Sequence, residues 1–540
     1  MNSLSFSRGL PAVFFVASAF MIVGIWWWIG APVQMPQSPL AAGEKLYCVS
    51  YAPFRSSQNP LDPATRISAA QIDDDLSRLA QVTNCIRTYS VEHGLDQIPE
   101  IARRHGLKVI HGLWLSREAE KNRQEITTSI ALANRHPDVI AAIVVGNEVL
   151  LRGEISSSDL ANIIRGVKAQ VSVPVTYADV WEFWLRHREL YDAVDFVTIH
   201  ILPYWEDCPI PAAQASAHVD AIRRKVAAAF TSKDILIGEV GWPSAGRMRE
   251  GALPSRVDQA RVLHDVLTLA KRDNFRVNVI EAFDQPWKRY LEGTVGGYWG
   301  LNDAAQREAK FTWGEPLSNH PFWRWQAAGG VLFAALIFSV AGRARRGSTR
   351  GVWLWLWLGV GVNATIGGIL LGLIIEQMPS ESLGLAGWVR SLALAATAVA
   401  APLAGSVALM RGLQIPSFAQ VLGRSDERIR DRLALALGYA LVLLTLLAIH
   451  VALGLDFDPR YRDFPYAPLT AAIVPFLMMT ISLPRRTGSV PAETSAAVTL
   501  GLSSIYIAYN EGLANWQAVW LCGALFMLSV ILLRARDAPG

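Results

Sequence analysis

At 540 residues, with mean hydropathy +0.25 and 51% hydrophobic residues, the chain is too long and too apolar to be one soluble domain. Residues 44–317 carry 32 Lys/Arg against 35 Asp/Glu, whereas the flanking parts hold 18 Arg, no Lys and 11 acids. The net charge of +4 therefore arises in the apolar parts and gives no ground for a nucleic-acid partner, and four cysteines are too few for a disulfide scaffold.

The first apolar segment, 10–31, follows Arg8 and ends in Trp26-Trp27-Trp28, and it is long enough to cross a hydrocarbon core. A cleaved signal peptide has a shorter core with a small-residue site directly after it. Here Ala41-Ala42 comes only beyond a Pro-rich stretch at 32–39, so a retained anchor is expected. Residues 1–43 are read as a cytoplasmic N-terminus, anchor and spacer.

From 44 to 317, strand-like runs at 46–52, 85–90, 108–115, 140–146, 173–179, 194–200, 235–239 and 277–283 alternate with amphipathic stretches at 68–82, 95–105, 118–135, 157–171, 212–230 and 255–274. Such alternation implies βα units on a parallel sheet, and eight of them over this length match an α/β, (β/α)8 TIM barrel. Ser68 and Ser255 are expected helix caps. Cys48 and Cys85 fall on the first two strands. A disulfide between them is open, and buried free thiols are the simpler alternative.

Residues 318–540 are expected to form a polytopic helical membrane domain with seven spans, at 326–342, 352–375, 389–410, 433–453, 468–483, 495–511 and 516–533. With the N-terminus in the cytoplasm, fourteen arginines fall inside (8, 343, 345, 346, 350, 411, 424, 428, 430, 432, 485, 486, 534 and 536) and four outside (324, 390, 460 and 462). This bias predicts eight spans in all, both termini inside, and the 44–317 block outside the cytoplasm. Trp353, Trp355, Trp357, Trp516 and Trp520 fit an aromatic belt, and His450, Glu376 and Glu511 lie at outer span ends.

Chemistry in a (β/α)8 barrel belongs at the C-terminal strand ends, and polar and aromatic residues collect there. In chain order these are Tyr51; Arg87 and Tyr89; Trp114; Asn147-Glu148; Tyr177, Asp179 and Trp181; His200, Tyr204, Trp205, Glu206 and Asp207; Glu239 and Trp242; and Glu281, Asp284, Gln285, Trp287 and Lys288. Rings beside carboxylates and amides suit a sugar, whose C–H faces stack while its hydroxyls bond to polar edges. Glu148 and Glu239 each end an apolar run, an awkward place to bury an acid for packing alone. Two such glutamates opening on one face are what a retaining glycosidase needs. A single strand-end histidine, His200, makes no metal site and is read as a satisfied core residue; no metal or cofactor is implied.

Asn147-Glu148 on the fourth strand with Gly238-Glu239-Val240-Gly241-Trp242-Pro243-Ser244 at the seventh resembles glycoside hydrolase family 17, the β-1,3-glucanases and glucanosyltransferases. The likeness extends through Ser50-Tyr51-Ala52-Pro53-Phe54, Ile86-Arg87-Thr88-Tyr89, His200-Ile201-Leu202-Pro203-Tyr204-Trp205, Ala282-Phe283-Asp284-Gln285-Pro286-Trp287-Lys288 and Gly297-Tyr298-Trp299-Gly300-Leu301. With its multi-span C-terminus the whole chain resembles bacterial membrane proteins that make cyclic β-1,3/β-1,6-glucans. The resemblance implies Glu239 as nucleophile, Glu148 as acid/base, Asn147 on the sugar 2-hydroxyl and Tyr204 as a donor to the nucleophile. Tyr51, Arg87, Tyr89, Trp114, Tyr177, Asp179, Trp205, Trp242, Glu281, Asp284, Trp287 and Lys288 are further substrate-binding candidates, Arg87 being equally suited to a structural ion pair. Glu148 is expected to hold its proton near neutral pH through burial and the Glu239 charge.

The expected function is transfer on β-1,3-glucan, forming 1,6-linked branches or ring closures, by an enzyme in the bacterial inner membrane with a periplasmic barrel. The expected partners are the β-glucan, the lipid bilayer and a glucan synthase in the same membrane. Hydrolysis by the same residues is the first alternative, and a non-catalytic glucan-binding or export subunit is the second.

Overall fold

The computed structural model describes residues 3–346, 354–423, 429–482 and 491–534. It divides into two compact units, Val33–Gly246 with Gly251–Leu317, and Met1–Pro32 with Arg247–Glu250 and Ser318–Gly540.

The first unit is a closed parallel barrel of eight strands: β1 Cys48–Ser50, β2 Cys85–Arg87, β3 Lys108–Leu113, β4 Ile140–Asn147, β5 Val175–Val180, β6 Val197–His200, β7 Ile235–Val240 and β8 Arg276–Val279. Each strand pairs with the next, and β8 closes on β1 through Cys48 and Asn278. The expected (β/α)8 fold is thus the observed one. Between strands run Ala69–Leu79, Ile98–Arg104, Ala119–Arg135, Ser157–Lys168, Ala212–Ala229 and Arg256–Arg272. Ser68 and Ser255 cap two of these helices by accepting the Gln71 and Asp258 backbone N–H groups, which satisfies donors the first turn leaves orphaned.

The barrel floor is an apolar layer of Cys48, Cys85, Ile110, Val144, Ala178 and Leu236, and here Cys48 and Cys85 are bonded to each other. The simpler expectation of free thiols is corrected: adjacent strands bring the two Cα atoms to 4.4 Å. Closing a loop across a separation of 37 residues should stabilise the fold by about 4 kcal/mol on the chain-entropy account. Chemical denaturation of a Cys48→Ala/Cys85→Ala variant should show a matching loss.

Above the floor the interior turns polar. Asn278 Nδ2 donates to Ser50 Oγ (2.8 Å) and to the Gly238 carbonyl (2.6 Å), and Arg87 is fully enclosed. The stretch expected as a spacer is tied down. Val33–Gln34 pairs antiparallel with Pro316–Leu317, and Met35 packs on Val257 and Ala260, so the barrel unit begins before residue 44.

The second unit is helical: Ser3–Gly30, Trp323–Arg346, Leu354–Glu381, Gly384–Arg411, Phe418–Val421, Arg432–Phe457, Tyr466–Ser482, Pro491–Glu511 and Trp516–Arg534. Ser3–Gly30 is built into it, with Ile22 and Trp26 buried and Ser18 Oγ donating to the Gly361 carbonyl. Small residues let helices meet closely; a Cβ on Gly330 would lie 2.3 Å from the Gly368 carbonyl oxygen. Among the described residues six helices are long and apolar enough to cross a membrane, and Tyr466–Ser482 is a shorter apolar one. Pro491–Glu511, which contains the expected span 495–511, is not among the six. Trp355 is exposed, as a belt residue should be, whereas Trp357 stacks on Phe338 inside the bundle. Trp353, Arg350, Arg424, Arg428, Arg485, Arg486 and Arg536 lie outside the described residues.

Candidate active site

Glu148 follows β4, and Glu239 lies in β7 beside its end, so both open on the C-terminal side of the barrel. Carboxylate oxygens of the two approach within 4.8 Å, although the residues stand ninety-one positions apart. That distance is close to the roughly 5–5.5 Å of a retaining pair and well short of the roughly 6.5–9.5 Å that leaves room for an inverting water.

Register irregularities aim these side chains. The β6–β7 ladder shifts between Ile199 and His200, β7–β8 between Ile237 and Val240, and β4–β5 between Val144 and Asn147. Bulges of this kind re-aim a residue that strict alternation would send elsewhere. Gly238 is required by close approach, since a Cβ there would lie 2.4 Å from Thr198 Cγ2.

Glu239 is buried, at 6% side-chain exposure, and its Oε1 accepts from Arg87 Nη1 (3.0 Å) and Tyr89 OH (2.8 Å). Arg87 also donates to the Gly238 carbonyl (2.7 Å) and through Nη2 to Asn147 Oδ1 (2.5 Å). One guanidinium thus neutralises the buried carboxylate and leaves the Asn147 amide nitrogen as the group able to donate elsewhere.

Glu148 is less enclosed, at 24% side-chain exposure, and sits at φ +53°, left-handed backbone that costs a non-glycine residue about 1–2 kcal/mol. The loop after it is pinned. Its N–H donates to the Ala178 carbonyl (2.8 Å), its carbonyl accepts the Arg152 N–H (2.9 Å), and the Arg152 guanidinium bonds the Asn147 and Leu115 carbonyls. Leu150 N–H donates to Tyr177 OH (3.0 Å), which in turn donates to Asp179 Oδ2, and Asp179 also accepts the Leu151 N–H (3.4 Å).

The carboxyl of Glu148 does not titrate as expected. Burial pushes it up, but the His200 ring, which bonds its Oε1 at 2.9 Å, and the Arg152 and Arg87 charges together hold it below the usual range. The expectation of a raised value counted burial and Glu239 and left out these three. Glu148, His200 and Glu239 also bring three ligand-type atoms within 4.8 Å of one another. The cation between two of them is Arg87, 3.2 Å from His200 Nε2 and 3.0 Å from Glu239 Oε1.

Residues 48–300 match the BtgE/BtgC glycoside hydrolase domain family. A glucan 1,3-β-glucosidase of Candida albicans is 26% identical over 262 residues, covering 44% of this chain and 85% of that protein. These residues form a glycoside hydrolase family 17-like barrel. The Aspergillus flavus probable β-glucosidase btgE is 30% identical over 225 residues, 40% of this chain, and the match spans only 36% of its length. An active-site mutant of the Rhizomucor miehei β-1,3-glucanosyltransferase, solved with laminaritriose, aligns at 25% identity with TM-score 0.44, over 51% of this chain and 97% of its own.

Several candidate binding residues of the family 17-like barrel prove to be sealed. Tyr51 is buried with its hydroxyl on Asp75, and Trp242 is buried with Nε1 on the Leu253 carbonyl. Tyr177 and Asp179 are buried beneath the Glu148 loop, and burial pushes Asp179 up to about 6. These four, expected as sugar contacts, are enclosed by protein here and support the site, because strand-end position does not reveal which side chains the surrounding helices and loops enclose. Asp284 pairs with Lys310 (2.6 Å) and accepts the Gly300 N–H, which fixes the loop after β8. Lys288 bonds both oxygens of Glu281 (3.0 Å each), yet burial still pushes Glu281 up to about 7.

Tyr204 is buried with its ring edge-on to Trp205, Trp242 and Trp299, and Tyr89 donates its hydroxyl to Glu239. Trp205 stacks parallel to Trp299, and Trp287 bonds Gln285. Trp114, 37% exposed beneath the Arg152 guanidinium at 4.2 Å, is the most open of the candidate platforms. Sequence inspection passed over Arg152, whose only signal is its place four residues after Glu148, and treated His200 as core.

Proposed function

We propose that this protein is a membrane-bound retaining enzyme that cleaves β-1,3-glucan and passes the fragment to a sugar hydroxyl, forming branches or ring closures, with 1,6 the expected linkage. The observation that carries this reading is the approach of the Glu148 and Glu239 carboxylates to within 4.8 Å at the strand ends. Glu239, ionised beside Arg87 and Tyr89, attacks the anomeric carbon while Glu148 gives its proton to the departing glycosidic oxygen. Glu148, now a base, takes the proton of the incoming hydroxyl, whose oxygen attacks the same carbon and frees Glu239. Asn147, with its Oδ1 held by Arg87, turns its amide N–H to the sugar 2-hydroxyl.

The β-1,3 preference is supported by the Candida relative's name and by the family 17-like motifs. Transfer over hydrolysis is supported by tethering, which keeps the site where glucan and acceptor are concentrated. A bacterial inner membrane with the barrel in the periplasm is supported by the excess of arginines on the opposite side and by the Cys48–Cys85 bond, which suits an oxidising compartment. The organisation offered is an anchor in the first thirty-two residues, a catalytic barrel in 44–317 joined by the strand at Val33–Gln34, and a polytopic domain in 318–540, placed to receive polymer from a glucan synthase in the same membrane.

The test is to incubate the full chain in detergent with a β-1,3-oligosaccharide of single length and to resolve product sizes and linkages. Products longer than the input, with a new linkage, are expected. Only shorter products would assign hydrolysis, and unchanged input with retained binding would favour a glucan-binding subunit.

A further inference from the structure

His200 stands between the two glutamates, and its geometry gives it a task that a satisfied core histidine lacks. Its side chain is fully buried at the end of β6, with Nδ1 2.9 Å from Glu148 Oε1 and Nε2 3.2 Å from Arg87 Nη1 and 3.6 Å from Glu239 Oε1. A guanidinium carries only donors, so the nitrogen facing Arg87 accepts and the ring proton sits on Nδ1, directed at Glu148. We propose that His200 is the positioning residue of the acid/base: its Nδ1–H holds Glu148 Oε1 and turns Oε2, the oxygen that exchanges the proton, toward the glycosidic oxygen. This inference rests on Glu148 being the acid/base.

Two consequences follow from the same bond. Glu148 sits on a positive-φ residue at the start of a loop, so its backbone alone does not fix where its carboxyl points; a buried donor from the neighbouring part of the barrel does. A donor to a carboxylate also favours the ionised form, so His200 sets how readily Glu148 keeps the proton it must deliver. The other charged and titratable groups facing Glu148 are Arg87 from β2, Arg152 from its own loop, Tyr177 and Asp179 from β5, Glu239 from β7 and Glu292 from the helix Arg289–Gly296. Among the described residues these groups act on the Glu148 carboxyl by charge, whereas His200 bonds it directly.

Three replacements separate the roles of the ring. His200→Phe fills the space with no donor. His200→Asn can place an amide N–H near the Nδ1 position, and His200→Gln can place one near Nε2 instead. The pH profile of kcat/KM is read on full-length protein with a β-1,3-oligosaccharide, each variant being checked by thermal melting. Glycosylation needs protonated Glu148, so the alkaline limb reports that residue. With Phe, the limb should move to higher pH and kcat should fall by about ten- to a hundredfold, the worth of a bond to a charged group. Asn should return the limb toward its original position and recover most of kcat, and Gln should not.

A limb that stays in place with Phe, or equal losses with Asn and Gln, would overturn the proposal. Should Phe fail to fold, the Asn and Gln pair decides on the same criterion. A Glu148→Ala control marks the premise. If that variant stays fully active, the acid/base assignment itself falls and the proposal with it; if azide rescues it while the His200 limb is unmoved, only the positioning role falls.

Discussion

Replacing Glu239 with Gln is expected to lower turnover of β-1,3-oligosaccharides by roughly three orders of magnitude or more, the largest effect any single substitution should have. The amide cannot form the glycosyl ester through which a retaining reaction proceeds. It should nevertheless fold: Gln has nearly the same shape, its Oε1 can still accept from Arg87 and Tyr89, and the register shifts that aim the side chain are backbone features. The measurement is initial rate by product analysis, paired with glucan binding by calorimetry. Lost turnover with retained binding is the expected pair. Unchanged turnover would remove Glu239 from the reaction, and a variant that neither binds nor melts cooperatively would mark it as structural.

Glu148→Ala should separate the two half-reactions. With a natural glucan, whose departing oxygen needs a proton, turnover is expected to fall by about 10²–10⁴-fold. With an aryl β-glucoside whose leaving group departs unaided, the first step should survive and the glycosyl-enzyme should accumulate, because no base remains to activate the acceptor. Azide needs no base, so it should restore turnover and yield a β-glycosyl azide of retained configuration. Alanine keeps the same positive-φ burden as glutamate, and the Arg152, Tyr177 and Asp179 contacts that hold the loop do not depend on the Glu148 carboxyl. An equal loss with both substrates and no azide effect would contradict the assignment.

The two glutamates could be read from the sequence because each closes an apolar run, where burial of an acid has no packing reward. The eight units were visible because strand-like runs recur eight times with amphipathic stretches between most of them; none was read between 179 and 194, where the chain forms the short helix Trp181–Arg186. Strand ends were less legible. The apolar run at 277–283 continues past β8, which stops at Val279; Ile280 and Ala282 still donate to Val240 and Ser50 of the neighbouring strands, but Glu281 and Asp284 donate to the Trp299 and Asn302 carbonyls beyond the barrel. Tyr51, Tyr177 and Asp179 stand at strand ends like cleft residues, yet all three are buried, with Tyr51 bonded to Asp75 of the helix Ala69–Leu79 and the other two to each other and to the loop after Glu148. The titration of Glu148 lay beyond sequence inspection altogether, since it depends on His200, fifty-two positions away, and on Arg87 from another strand.

The most direct test of a double displacement between these two residues is to trap its intermediate. A 2-deoxy-2-fluoro β-glucosyl or laminaribiosyl donor with an activated leaving group slows both steps and lets the ester accumulate, and mass spectrometry of the digested full-length protein locates it. A single glycosyl mass added to the peptide carrying Glu239, and lost on incubation with an acceptor sugar, is the predicted result. A label on any other residue, or release of the leaving group with no covalent adduct at any time, would contradict it.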